Sequence, residues 1–158
     1  MPGQSRPVSL HGAAVAVGEA GVLIRGVSGA GKSSLALALV EAAVARGMFA
    51  RLVADDRVLL EVLNGRLLAR PHPAIAGRVE RRGQGIGLVD HEAEVVLRCV
   101  LDFAPAVGEP GAPGRMPAER SETVAVEGIP LPRLVAPTGL GAAETARLLL
   151  DFLARARL

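Results

Sequence analysis

The stretch Gly21-Val-Leu-Ile-Arg-Gly-Val-Ser-Gly-Ala-Gly-Lys-Ser-Ser-Leu35 decides the fold expected of this chain. Val22 to Arg25 is a short apolar segment that predicts a strand, and it runs directly into a glycine-rich loop. Ser34 to Arg46 is rich in Ala and Leu and is followed by Gly47, which predicts a buried helix that ends there. A strand, a glycine-rich loop and a helix in this order are typical of an α/β protein that binds phosphate groups.

The loop satisfies the full phosphate-binding pattern, Gly-x-x-x-x-Gly-Lys-Ser. Its glycines let backbone N–H groups wrap around a polyphosphate, and the helix N-terminus adds roughly half a positive charge. Of 18 basic residues, 17 are Arg and only Lys32 is Lys, which favours a compact point charge beside the β- and γ-phosphates, where a planar guanidinium does not fit. We therefore predict ATP and Mg²⁺ as cofactors, with the nucleotide on Gly26, Val27, Ser28, Gly29, Ala30, Gly31, Lys32 and Ser33.

Two adjacent carboxylates, Asp55 and Asp56, end the predicted strand Arg51-Leu-Val-Ala54. In a parallel α/β sheet, the carboxyl ends of the strands form the ligand-binding edge, so we expect this pair to lie beside the loop. One carboxylate can hold Mg²⁺ while the other accepts the proton of an attacking hydroxyl. A solvated acidic turn is the alternative, and the preceding phosphate loop favours the functional interpretation.

The rest of the chain predicts one domain over residues 1–158. Leu10 to Val17 and Val22 to Arg25 predict two strands around a tight turn, and Asn64-Gly65 predicts a hairpin within Val58 to Arg70. Val79 to Val89 carries three glycines and is interpreted as a functional loop. Further predicted elements are strands at Ala93 to Phe103 and Thr123 to Val126, a helix from Gly141 to Arg157, and a flexible Pro/Gly-rich loop over residues 104–120.

Composition excludes several classes of protein. The formal net charge is only +2, the arginines are dispersed, and there is no Trp or Tyr, so we expect no nucleic-acid partner. The longest apolar run is too short to span a bilayer and no signal peptide is recognisable, so we expect no membrane partner and a cytoplasmic location. Cys99 lies in an apolar run and is interpreted as a buried side chain. His72 and His91 lack the spacing of zinc ligands and are interpreted as surface residues.

Together these segments resemble the catalytic domain of bacterial HPr kinase/phosphorylase, which phosphorylates a serine of the carrier protein HPr. The resemblance covers roughly Ser9 to Leu88. It is carried by His11-Gly12, Gly21-Val-Leu-Ile24, the phosphate loop, Leu52-Val-Ala-Asp-Asp56 and Glu80-x-Arg82-Gly-x-Gly-Ile86. It implies an α/β kinase domain of the P-loop type, with a mixed sheet and flanking helices.

The resemblance also implies roles for individual residues. His11 alone would more often be a plain exposed or hydrogen-bonded histidine, but the family places the positions of His11, Lys32 and Asp56 in the active site. Asp56 is then the base that takes the serine proton, and Arg82 is interpreted as a charge stabiliser. The implied magnesium ligands are Ser33 and Glu80, and Asp55 is added from the carboxylate pair.

The chain departs from the long members of the family. Their N-terminal domain has no counterpart here, so the chain resembles the short alphaproteobacterial form. Their late arginine- and glycine-bearing segment is not recognisable in Thr123 to Pro137, and Arg133 receives no role. Because that segment is linked in the family to phosphorolysis of phosphoserine, we expect a kinase with weak or absent phosphorylase activity. Family members are hexamers, so we expect a homo-oligomer.

Two other functions remain open from the sequence. The first is a P-loop kinase of a small metabolite, for which residues 104–120, with Arg115 and Arg120 near their end, are long enough to form a lid. The second is a nucleotide-binding regulator without transfer activity. The Asp55-Asp56 pair argues against the regulator.

Overall fold

A computed structural model of the chain describes residues 6–81, 85–104, 122–137 and 140–158. The helix after the glycine-rich loop, the hairpin around Asn64-Gly65 and the last helix are confirmed. The strands and helices in chain order are β1 (Val8–His11), β2 (Ala13–Val17), β3 (Ala20–Arg25), α1 (Lys32–Ala45), β4 (Ala50–Ala54), β5 (Arg57–Leu63), β6 (Arg66–Pro71), β7 (Arg78–Arg81), β8 (Gly85–Leu88), β9 (Val95–Ala104), β10 (Glu122–Val126), β11 (Ile129–Pro137) and α2 (Ala142–Ala156).

The central sheet is mixed, as the resemblance implied. Strands β3, β9 and β11 run parallel to one another. On the other side of β3, β2 pairs antiparallel with both β3 and β4. Two successive reversals give β4 the direction of β3, although the two strands are not neighbours. The carboxyl ends of β3 and β4 therefore meet at one edge of the sheet, with the start of β2 between them.

Apolar side chains fill both faces of this sheet. Helices α1 and α2 pack on one face, where Leu35, Leu39 and Leu149 meet alternate residues of the strands, such as Ile24 and Leu101. The other face packs against the β5–β6 hairpin through Leu23, Val100, Val58, Leu60 and Leu67. The strand period of two places successive residues on opposite faces, so β3 is buried on both sides. In the described part of the chain, no helix is long and apolar enough to cross a bilayer.

The predicted strand Leu10 to Val17 is two strands that separate at Gly12. Residues up to His11 pair with β5, whereas those from Ala13 onward pair with β3 and β4. Gly12 is needed at the crossing, because a Cβ there would lie 2.7 Å from the carbonyl oxygen of Ile24. Its N–H donates to the carbonyl oxygen of Asp56 at 3.1 Å. The break thus sends His11 toward Asp56.

Two further predictions differ from the structure. Val79 to Val89 is not a loop throughout, since Arg78–Arg81 and Gly85–Leu88 pair as antiparallel strands. Strand β11 was not predicted, because its three prolines are unfavourable in a sheet interior. It lies beside β9 and pairs with β10 on its other edge. Of the predicted flexible loop, all but Ala104 lies outside the described residues.

The interpretation of Cys99 as a buried side chain is confirmed, and it leads to a test. The side chain is fully buried in β9, and burial raises the pKa of its thiol to about 12. Since the thiolate is the reactive form, we expect no alkylation by iodoacetamide at pH 8 while the chain is folded. One equivalent should react after unfolding in guanidinium, as read by intact mass. Rapid labelling of the folded chain would contradict this burial.

Candidate active site

The glycine-rich loop connects the end of β3 to the start of α1 and turns sharply. Gly29 and Gly31 have φ values of +82° and +102°, in the left-handed region that favours glycine. The N–H of Ala30 donates to the carbonyl oxygen of Val27 at 3.1 Å, which closes the turn. Helix α1 begins at Lys32, and N–H groups in a first helical turn lack partners within the helix. The loop and the helix start thus offer N–H donors to an anion.

Lys32 reaches back across this loop. Its side chain is largely buried, and Nζ donates to the carbonyl oxygens of Gly26 and Val27, both at 2.9 Å. An ammonium group has three N–H donors, so two hold the loop and one is left for a bound phosphate oxygen. A guanidinium is broader and planar and would not reproduce this arrangement. This geometry explains why position 32 holds a lysine, the only one in the chain, and not an arginine.

Ser33 and Asp55 form an oxygen-rich pair beside the loop. The Ser33 hydroxyl donates to Oδ1 of Asp55 at 2.7 Å, and Asp55 is buried directly after β4. Hydroxyl and carboxylate oxygens are the ligands that Mg²⁺ prefers. Among the residues that the structure describes, no three or more His, Cys, Asp or Glu side chains converge into a metal site of their own. The pair therefore fits an ion that takes its other ligands from phosphates and water.

Asp56 and His11 lie at the corner between β4 and β5. His11 Nε2 and Asp56 Oδ1 are 3.1 Å apart, and both side chains are more than half exposed. Asp56 has a φ of +68°, which is uncommon for a residue with a side chain. The N–H of Gly12 donates to the Asp56 carbonyl, and the N–H of Arg57 donates to the Asp55 carbonyl at 2.8 Å. These bonds hold the corner so that the Asp56 carboxylate reaches solvent beside His11.

A pocket of about 310 Å³ contains most of the predicted site. Its lining combines the loop, the two aspartates and the histidine: His11, Ser28, Gly29, Gly31, Lys32, Ser33, Ser34, Asp55 and Asp56. Glu80 lies in β7 opposite Ile86, and its role as a magnesium ligand stays a prediction. Arg82 lies outside the described residues.

An arginine–aspartate cluster that the sequence did not predict adjoins the loop. Arg25, the last residue of β3, donates from Nε and Nη2 to the two carboxylate oxygens of Asp102, at 2.8 Å each. Arg133 Nε donates to the same carboxylate at 2.6 Å. The cluster ties β3, β9 and β11 together one residue before Gly26. Strand pairing brings these residues together across 77 and 31 positions of sequence, so no local pattern could have revealed them.

The two guanidinium groups determine the charge state of Asp102. Its side chain is only 13% exposed, and burial alone would raise its pKa. The hydrogen bonds and positive charges of Arg25 and Arg133 outweigh burial and lower the pKa of Asp102 below its usual value. The carboxylate is therefore ionised in the folded chain at neutral pH and contributes to stability there.

Asp102→Asn should lower the free energy of unfolding by about 2 kcal/mol at pH 7, because it leaves two guanidinium groups short of a charged acceptor. The pKa is lower in the folded than in the unfolded chain. This contribution is therefore present above about pH 4 and lost as pH falls through the folded pKa. Urea unfolding of wild type and variant should show that the difference in their free energies of unfolding shrinks as the pH falls from 7 to 3.

Glu122→Gln is the matched control for this cluster. Glu122 is 58% exposed and contacts Arg133 at 3.2 Å. Removing its charge should change stability by less than about 1 kcal/mol, as for other exposed ion pairs. Equal losses for both variants, or a difference that does not depend on pH, would contradict the role given to Asp102.

The fold and the pocket define a class: an α/β protein with a glycine-rich loop after a central strand and two carboxylates on the same sheet edge. The family model of the HPr serine kinase C-terminal domain matches residues 4–94. The chain belongs to this family, and the resemblance drawn from its motifs is confirmed. The match ends close to where the sequence resemblance fades.

Curated relatives and a solved structure agree with this family. The HPr kinase/phosphorylase of Clostridium beijerinckii is 40% identical over 101 residues, covering 60% of this chain and 32% of the relative. That of Aromatoleum aromaticum is 36% identical over 149 residues, covering 87% and 44%. The chain spans less than half the length of these relatives. The Hpr(Ser) kinase/phosphatase structure from Coxiella burnetii matches with a TM-score of 0.72 at 22% identity, over 96% of this chain and 99% of that one, which supports the fold.

Proposed function

We propose that the chain is a serine kinase that transfers the γ-phosphoryl group of ATP to a serine hydroxyl of HPr. The observation that carries the proposal is a single pocket in which Asp56 and His11 lie with the loop lysine and the Ser33–Asp55 pair. A loop alone supports binding, whereas a carboxylate able to take a proton beside it supports transfer. The proposed setting is the cytoplasm, in the regulation of the phosphotransferase system, with the chain working as a homo-oligomer.

The loop side of the pocket is assigned to the nucleotide. Backbone N–H groups of the loop and the free N–H of Lys32 would bind the β- and γ-phosphates. Ser33 and Asp55 would hold Mg²⁺, with Glu80 as a further ligand. The ion supplies positive charge to the phosphate oxygens when bound. Ser33 and Asp55 are already hydrogen-bonded to each other at 2.7 Å, so their oxygens are positioned together before any ion binds.

The Asp56 side of the pocket is assigned to the acceptor. The serine oxygen attacks the γ-phosphorus, the bond from phosphorus to the β,γ-bridging oxygen breaks, and ADP leaves. Asp56 accepts the proton that the serine hydroxyl loses. His11 contacts the same carboxylate at 3.1 Å and would keep it oriented toward the acceptor. Arg82 is proposed to stabilise the charge on the transferred group.

We propose that phosphorylase activity is weak or absent. The late segment that the long members use for phosphorolysis is not recognisable in this chain. Within the described residues 122–137, the arginine is Arg133. Its Nε is bonded to Asp102 and its Nη1 to Glu122. The two carboxylates balance the positive charge of Arg133 and reduce its attraction for an incoming phosphate, which supports the kinase direction.

Asp56→Asn tests the transfer step. Incubation with Mg-ATP and HPr should add one phosphoryl group to HPr with the wild-type chain, read by intact mass. The variant should be slower by roughly 10²- to 10⁴-fold, the usual contribution of general base catalysis, and should still bind ATP. Asp151→Asn is the matched control, because Asp151 is an exposed residue of α2 paired with Arg46.

Three results would contradict or redirect this proposal. Equal rates for wild type and Asp56→Asn would remove Asp56 as the base. Turnover on a metabolite panel with HPr inert would favour a small-metabolite kinase. Tight nucleotide binding without transfer to any hydroxyl acceptor would favour a regulator.

Lys32→Arg tests the nucleotide side separately. It keeps the charge but replaces a compact ammonium, which bonds two loop carbonyls, with a planar group of a different shape. Affinity for Mg-ADP, measured by calorimetry, should fall on the order of tenfold or more, equivalent to about 1.4 kcal/mol. Unchanged affinity would contradict the role of Lys32.

A further inference from the structure

A second pocket also opens at the His11–Asp56 pair. It has a volume of about 380 Å³ and is lined by Ser9, His11, Asp56 and Arg57. His11 and Asp56 also line the first pocket, so the two pockets meet at these residues. The first pocket contains the loop residues, whereas the second contains none of them. A group in the second pocket would thus reach Asp56 without passing the nucleotide.

Phosphoryl transfer requires this kind of separation. The attacking oxygen and the leaving oxygen lie roughly in line, on opposite sides of the phosphorus. The nucleotide and the acceptor must therefore approach the reacting phosphorus from different directions. Two pockets joined at the proposed base meet that requirement. The lining of the second pocket is a hydroxyl, an imidazole, a carboxylate and a guanidinium, which suits a polar acceptor.

Arg57 is the cation on the acceptor side. It begins β5, directly follows Asp56, and lies opposite His11 in the pairing of β1 with β5. Its side chain is exposed and forms no ion pair with any carboxylate among the described residues. By contrast, Arg25 and Arg133 are both bonded to Asp102. Arg57 is therefore free to pair with an anionic group that enters the second pocket.

Strand β1 indicates that the acceptor is a polypeptide. It is the terminal strand of the sheet order and, within the described parts of the chain, pairs only with β5. Its other edge can accept main-chain hydrogen bonds from an extended segment. Ser9 and His11 are two residues apart, so they share a face of this strand, and both line the second pocket. A segment lying along β1 would pass directly over the pocket.

We propose that the second pocket receives the acceptor segment and that Arg57 is a specificity residue, pairing with a carboxylate that the acceptor carries close to its reacting hydroxyl. The inference rests on the proposed function and deepens it. Lys32 and the helix N-terminus hold the negative charge of the nucleotide, and Arg57 holds that of the acceptor. Arg57, the proposed cation for the acceptor, directly follows Asp56, the proposed base.

Arg57→Glu is the test, with HPr as the acceptor. The KM for HPr should rise by about tenfold or more, while the KM for ATP stays within twofold, because only the acceptor side loses its cation. Arg57→Lys should fall between wild type and Arg57→Glu. Arg66→Glu is the matched control. It makes the same charge change at the other end of the same hairpin. Arg66 begins β6 opposite Leu63, which lies six residues along β5 from Arg57, or about 20 Å away.

A charge swap on the acceptor gives a result that a structural role would not produce. Acidic residues of HPr are changed to Lys one at a time, and one such variant should be a poor substrate for wild type and a better one for Arg57→Glu. An unchanged KM for HPr in Arg57→Glu, an equal rise in the KM for ATP, or the absence of any rescue would overturn the acceptor pocket. Failure of the wild-type chain to phosphorylate HPr would instead overturn the proposed function.

Discussion

Strand β2 runs antiparallel to both of its neighbours, and the candidate site depends on this reversal. It gives β3 and β4 the same direction, so that the loop after Arg25 and the aspartates after Ala54 reach the same edge. It also places the start of β2 at that edge, which brings in His11. Pockets commonly form where strand ends converge. Here the ends of β3 and β4 meet the start of β2. The arrangement requires glycine at position 12, because a side chain there would collide with the carbonyl oxygen of Ile24.

Arginines and the lysine are used differently around this edge. Arg25 and Arg133 surround one largely buried carboxylate, an arrangement that fixes strand positions, because breaking a buried pair costs more than the pair contributes. Lys32 donates to neutral carbonyl oxygens and retains capacity for a ligand. Arg57 has no carboxylate partner within the described ranges. Which cations are free for ligands thus depends on which carboxylates the fold places beside each one.

The local elements were predictable from the sequence, whereas the long-range contacts were not. The loop motif, the helix after it, the Asn64-Gly65 hairpin and the burial of Cys99 follow from short patterns, and the structure agrees with them. Strand β11 was missed because prolines suppress the strand signal, and β7 and β8 because glycines resemble a loop. The Arg25–Asp102–Arg133 cluster depends on the register of three strands, which no window of sequence contains. The place of His11 in the site came only from family resemblance, and its contact with Asp56 was not predicted.

The corner at Asp55, Asp56 and Arg57 explains how consecutive residues can serve different parts of one reaction. A regular strand would send alternate side chains to opposite faces, placing Asp55 and Arg57 together and Asp56 apart. The positive φ of Asp56 interrupts that alternation, and the bonds from Gly12 and Arg57 to the backbone hold the turn. Asp55 stays buried against Ser33, whereas Asp56 and Arg57 are exposed at the second pocket. An uncommon backbone conformation is maintained where it separates the metal ligand, the base and the acceptor cation of the proposed reaction.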